Sequence, residues 1–120
     1  MSQAELPKDE ELRIAALKSL RILDTGREDA FDDLVSAACT LFQVPIVLIS
    51  LVDEGRQWFK ASIGVEACET PREHSICSHA ILSDDVLVIP DTTLDARTRD
   101  NPLVTGDMGI RFYRGCPEPC

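Results

Sequence analysis

The chain has 120 residues and a formal net charge of -9, which argues against a nucleic-acid partner, since phosphate binding needs a cationic surface. With 44% hydrophobic and 28% charged residues it has the composition of one soluble domain, and no apolar run is long enough to cross a bilayer, so membrane insertion is not expected. Five cysteines at irregular spacing and a polar, acidic start without an export signal point to reduced thiols in a cytoplasmic protein.

In chain order, residues 8–23 read as a helix. Leu12, Ala16, Leu20 and Leu23 recur at spacings of three and four, Pro7 and the acids behind it suit a helix start, and Asp24, Thr25 and Gly26 end the pattern. A second helix is expected from about Glu28 to Phe42, with Phe31, Leu34, Val35, Ala38, Leu41 and Phe42 on one side. After Pro45 the pattern changes. Ile46 to Val52 is aliphatic except for Ser50, shows no alternation, and reads as a central strand buried on both faces. Asp53, Glu54 and Gly55 turn the chain into a hairpin partner, Arg56 to Ile63, in which Trp58 and Phe59 point to opposite faces.

Thr70, Pro71, Arg72 and Glu73 have the form of a capping box, which predicts a short helix to about Leu82, beginning there or at Ser75. Val86 to Ile89 is a third strand. The stretch from Asp91 to Gly109 is long, polar and turn-rich, with a helical turn expected near Leu94 to Arg99, and Ile110 to Arg114 is the last strand. The order of elements gives an α+β layout with an antiparallel sheet.

The motifs resemble, in order, the bacterial GAF domain. The resemblance rests on Ile22-Leu23-Asp24-Thr25, Val44-Pro45-Ile46, Ser50-Leu51-Val52-Asp53 and Arg56-Gln57-Trp58-Phe59-Lys60. It continues through Glu69-Thr70-Pro71-Arg72-Glu73, Ser75-Ile76-Cys77-Ser78-His79-Ala80-Ile81, Pro90-Asp91-Thr92-Thr93-Leu94-Asp95, Asn101-Pro102-Leu103-Val104 and Gly109-Ile110-Arg111-Phe112-Tyr113. It implies a six-stranded antiparallel sheet with helices on one face and a ligand pocket on the other, at the front of a sensor histidine kinase, diguanylate cyclase or similar signalling protein. It also divides the chain into a tail, 1–7, a partial GAF domain, 8–115, and a non-family tail, 116–120.

The family continues past the aromatic strand with another apolar strand. Here Gly115 is followed by Cys116-Pro117-Glu118-Pro119-Cys120, and two prolines in five residues cannot extend a ladder. The expectation is a GAF-like sheet lacking its last strands, as in a truncated product or a fragment, with one long apolar edge left unpaired.

The resemblance implies sensing through a small-molecule ligand and no catalysis. Trp58, Cys77, His79, Asp91, Arg111 and Tyr113 are the candidate pocket residues, and the ligand's identity is not legible. Trp58 shares a strand face with Arg56 and Lys60, where loop, partner or core packing are all open. Arg111 and Tyr113 share a face of the last strand that either lines a cavity or meets solvent. Cys77 and His79, two apart on a helix, cannot chelate one metal together; His74, Cys77, Cys116 and Cys120 form a four-ligand set at spacings unlike usual zinc sites, and no metal is assigned. The opposing reading is an enzyme, a thiol-dependent reductase of the free methionine sulfoxide type using Cys77 with His74 or His79 as base. The resolving cysteine such enzymes carry is missing from residues 91–115, and Cys68 would serve only near Cys77. A third reading is a dimerisation module without ligand. Leu12, Leu20 and Leu23 of the first helix suit a homodimer bundle, and core packing explains the same stripe.

Overall fold

The computed structural model describes residues 3–117. Helix α1, Glu10–Ser19, opens with two acids in its first turn, where the helix dipole favours them. It is shorter than its apolar pattern, because Arg21 takes a left-handed φ of 52° and breaks the ladder after the Leu20 cap. The shortening changes which face is buried. Ile14 and Leu17 are covered, while Leu12 and Leu20, expected in the stripe, are 74% and 64% exposed. Helix α2, Asp29–Phe42, ends where Gln43 turns left-handed, and Val35 is its one fully buried residue. It packs on strands β1, Val47–Val52, and β2, Arg56–Ile63.

Strand β2 is the centre of a three-stranded antiparallel sheet in the order β1-β2-β3, with β3 at Glu69–Pro71. This corrects the expectation of a central aliphatic strand. Among the described residues β1 pairs only with β2, and it is half-buried along its length except at Val52, which is buried. The full burial expected of its continuous apolar run is reached only at Val52, and its outer edge has no partner among the described residues, as expected of a sheet lacking its last strands. Gly64 closes the hairpin stem at φ 84°, where a Cβ would lie 2.1 Å from the Pro45 carbonyl oxygen, so only glycine fits.

The β1–β2 register slips between Ile49, opposite Ala61, and Ser50, opposite Phe59, so Lys60 is an extra residue in a bulge. The bulge turns Lys60 toward the helices. Its side chain is fully buried, with Nζ donating to Thr25 Oγ1 at 2.8 Å and to the Gly26 carbonyl at 2.6 Å, paired with Glu28, and 5.5 Å from the Phe31 ring centre. One bulged lysine thus straps the α1–α2 connection to the sheet.

The capping box expected at Thr70 does not form. Thr70 lies in β3 opposite Gln57, and the helix expected after it is divided into a 3-10 turn, Arg72–His74, and a short helix α3, Cys77–Ala80. Pairing with β2 holds Thr70 extended, which removes it as a cap. Strand β4, Leu87–Ile89, pairs with β5, Tyr113–Gly115, in a separate two-stranded sheet, so the described residues form sheets of three and two strands where the resemblance implied six in one. The last strand starts three residues later than expected. Ile110 and Arg111 instead bond to the long loop, through Ile110 N–H to the Leu103 carbonyl and Thr92 N–H to the Arg111 carbonyl.

That loop is ordered by buried polar groups. Thr98 Oγ1 donates to the Thr92 carbonyl at 2.8 Å, and Thr92 Oγ1 to the Ile110 carbonyl. Within it lies helix α4, Pro102–Thr105, which sequence periodicity missed because four residues show none. Its signal was Asn101-Pro102: the Asn101 side chain caps the Leu103 N–H, and proline occupies the first turn. No helix among the described residues is long and apolar enough to cross a membrane. The architecture is α+β, with a helix layer over a twisted antiparallel sheet.

Candidate functional site

Alternation along β2 separates two faces. Trp58 and Lys60 turn toward the helices, and Gln57 turns to the opposite side, where α3 lies. There three strands bring polar groups onto the sulfur of Cys77, which α3 carries. Tyr113 OH from β5 donates at 3.1 Å, Gln57 Nε2 from β2 at 3.0 Å, and Ser50 Oγ from β1 at 3.5 Å. Ser75, buried before α3, donates its hydroxyl to Gln57 Oε1, and that bond directs the amide nitrogen of Gln57 at the sulfur. Ser75 Oγ also receives the Ser78 N–H, and Ser78 Oγ donates to the Arg72 carbonyl, so α3 is fixed at its entry.

Burial pushes the Tyr113 hydroxyl's pKa well above the usual phenol range, and the neighbouring Cys77 adds to the effect. Tyr113 therefore stays a neutral donor. With Ser50, Gln57 and Cys77 it makes a half-buried hydrogen-bonding cluster, suited to orienting a small polar molecule.

Of the six candidate residues, the structure joins Cys77 to Tyr113. Trp58 is buried on the other face and borders a groove of about 500 Å³ with Thr25, Lys60, Val65 and Cys68. Asp91 is exposed, and its carboxyl is held below the ordinary range by the Thr93 hydroxyl and N–H, with a smaller contribution from Arg111. Arg111 sits outside β5, donating to the Val104 and Ile110 carbonyls. His79 is half-buried on α3 and adds a minor attraction to the Asp95 carboxylate, whose pKa the Arg97 guanidinium lowers to about 2. A second groove, about 460 Å³, runs along α1 and is lined by Ile14, Lys18, Glu54 and Arg72.

Cys68 borders the groove beside Trp58, while Cys77 touches Ser50, Gln57 and Tyr113, so the two thiols have different neighbours. Cys120, the last of the four ligands weighed for zinc, lies outside the described residues, as do residues 1–2 and 118–119 of the two tails. Among the described residues no three metal-ligating side chains come together. Sequence reasoning missed Ser50, Gln57 and Ser75 as site residues. The signals present were Ser50, the one hydroxyl in an aliphatic strand, and Gln57, the polar neighbour of a buried tryptophan.

The GAF domain profile matches residues 26–117, from the α1–α2 connection through β5. A cyclic di-GMP phosphodiesterase of Pseudomonas aeruginosa is 46% identical over 117 residues, which are 98% of this chain and 20% of that protein. The chain spans about a fifth of the length of the curated relative it matches. The matched stretch contains the hairpin, the bulged lysine, α3 and the Cys77 cluster, and on these grounds the chain belongs to the GAF domain family.

Proposed function

We propose that this chain is a regulatory, small-molecule-sensing module of a bacterial signal-transduction protein, without catalysis of its own, acting in the cytoplasm. The observation that carries the reading is the convergence of Ser50, Gln57 and Tyr113 on Cys77 from three strands. A ligand inserting among these groups would change the Tyr113–Cys77 bond that ties β5 to α3 and, through Gln57 and Ser50, to the larger sheet, which gives binding a route to shape change. The relative's name supports an output linked to cyclic di-GMP turnover, carried by a longer protein of which such a module is one part.

Native mass spectrometry of the purified protein tests the reading. A retained small molecule that is lost in Gln57→Leu supports it; a bare mass for the parent chain counts against it. The non-catalytic part is tested by turnover of hydrogen peroxide and free methionine sulfoxide, with activity expected in neither. Turnover abolished by Cys77→Ser would replace sensing with thiol chemistry. Leu12 and Leu20 are exposed on α1, and association lost on Leu12→Lys would place a homodimer contact on that helix.

A further inference from the structure

Helix α2 has a wider apolar arc than the sheet covers. Phe31, Val35 and Ala38 face the sheet, yet Ala30, Leu34, Ala37 and Leu41 are all exposed, Leu34 by 60% and Leu41 by 75%. At 3.6 residues per turn these four fall within an arc of about 60°. Their order is small, large, small, large at spacings of four, three and four.

That order is self-complementary in one direction. When two copies of α2 lie antiparallel about a two-fold axis between Val35 and Ser36, Ala30 faces Leu41 of the second copy and Leu34 faces Ala37. Every leucine then meets an alanine, which lets the helices approach and interdigitate. A parallel alignment would place leucine against leucine and set Asp29, Asp32 and Asp33 of both copies side by side. The antiparallel one brings this acidic end level with the end where Arg114 covers the Phe42 ring at 5.8 Å, and it opposes the helix dipoles.

We propose that α2 is an isologous contact surface for a second copy of this chain, antiparallel and centred between Val35 and Ser36. The surface is one helix long, smaller than a standard interface, so the dimer is weak and concentration-dependent. It needs no ligand, so its failure would leave the sensing reading intact.

Sedimentation equilibrium of the whole chain under reducing conditions tests it, with far-UV circular dichroism confirming that each variant is folded. The expected result is a monomer–dimer equilibrium weakened at least tenfold by Leu34→Lys and by Leu41→Lys, and unchanged by Leu12→Lys on α1. Mixing Leu34→Lys with Ala37→Glu chains should restore association, because residues 34 and 37 face each other. The proposal is overturned by a monomer at every concentration, by a dimer indifferent to both lysine substitutions, or by one lost on Leu12→Lys alone. Open-ended oligomers would also overturn it, since a two-fold contact closes at two. Rescue of Leu34→Lys by Leu34→Glu in place of Ala37→Glu would mean parallel pairing and overturn the register.

Discussion

At Glu10 one carboxylate carries much of the attachment of α1 to the sheet. Arg13 donates two bonds to it, at 3.0 and 2.8 Å, and Arg72, buried beside the hairpin, donates again while also reaching the Asp53 carbonyl at 3.0 Å. The bonds from Arg13 are the main reason its pKa falls from 4.5 to about 2; burial opposes the shift and Arg72 reinforces it. The sign follows directly. A carboxyl with a depressed folded pKa stabilises fully above its unfolded value and loses that contribution as pH falls toward the folded value. Stability should therefore decline from about pH 4.5 toward pH 2, with Asp95 adding to the same window. Glu10→Gln should cost about 2 kcal/mol at neutral pH, as expected for hydrogen bonds to charged groups, and should flatten that acid decline without abolishing it. Urea titrations at several pH values measure both, and an unchanged acid slope would show that Glu10 is not the group responsible.

At the scale of elements, two short connections hold pieces that have little regular structure of their own. Lys60 holds the 24–28 connection. Lys60→Met keeps the length of the side chain but removes its donors to Thr25 and Gly26, while Glu28, itself 58% exposed, returns to water at little cost. The expected loss is about 1–2 kcal/mol, with amide exchange speeding up in residues 24–28 more than in β1. Asn101 holds the long loop, capping α4 and donating from Nδ2 to the His74 carbonyl at 2.9 Å. Asn101→Ala should destabilise by about 2 kcal/mol in chemical denaturation, since both a cap and a buried bond are lost. These straps also mark the limit of what the sequence discloses. Local pattern placed α1 and α2 by helical spacing, and β1 and β2 by an aliphatic run and the turn that follows it. It missed α4, and it took Thr70 for a cap because pairing with Gln57 across the sheet is not a local property. The site was legible at Cys77 and Tyr113, whose side chains stood out by type. Gln57 and Ser75 entered only through a contact between residues 18 apart in the chain.

Taken as a whole, the molecule joins two sheets of unequal support. β2 is flanked on both edges and roofed by α2, while the β4–β5 pair has three rungs and is linked to the rest through Tyr113 to Cys77 and Arg114 to the Phe42 ring, with the Asn101 bond to His74 anchoring the loop that leads to it. Local opening follows local contact density, so the two sheets should not open together. Hydrogen exchange is expected to protect amides in 57–62 most strongly and those in 87–89 and 113–115 distinctly less. Tyr113→Phe removes one donor to the Cys77 sulfur and keeps the ring, so it should lower protection in β4 and β5 by a free energy of about 1 kcal/mol and leave β2 unaltered. A ligand bound within the Cys77 cluster should have the opposite effect, raising protection in the smaller sheet first, because that is where opening and binding compete for the same groups. Equal exchange in both sheets, moving together on Tyr113→Phe, would mean that they form one cooperative unit and that the Cys77 cluster is not the joint between them.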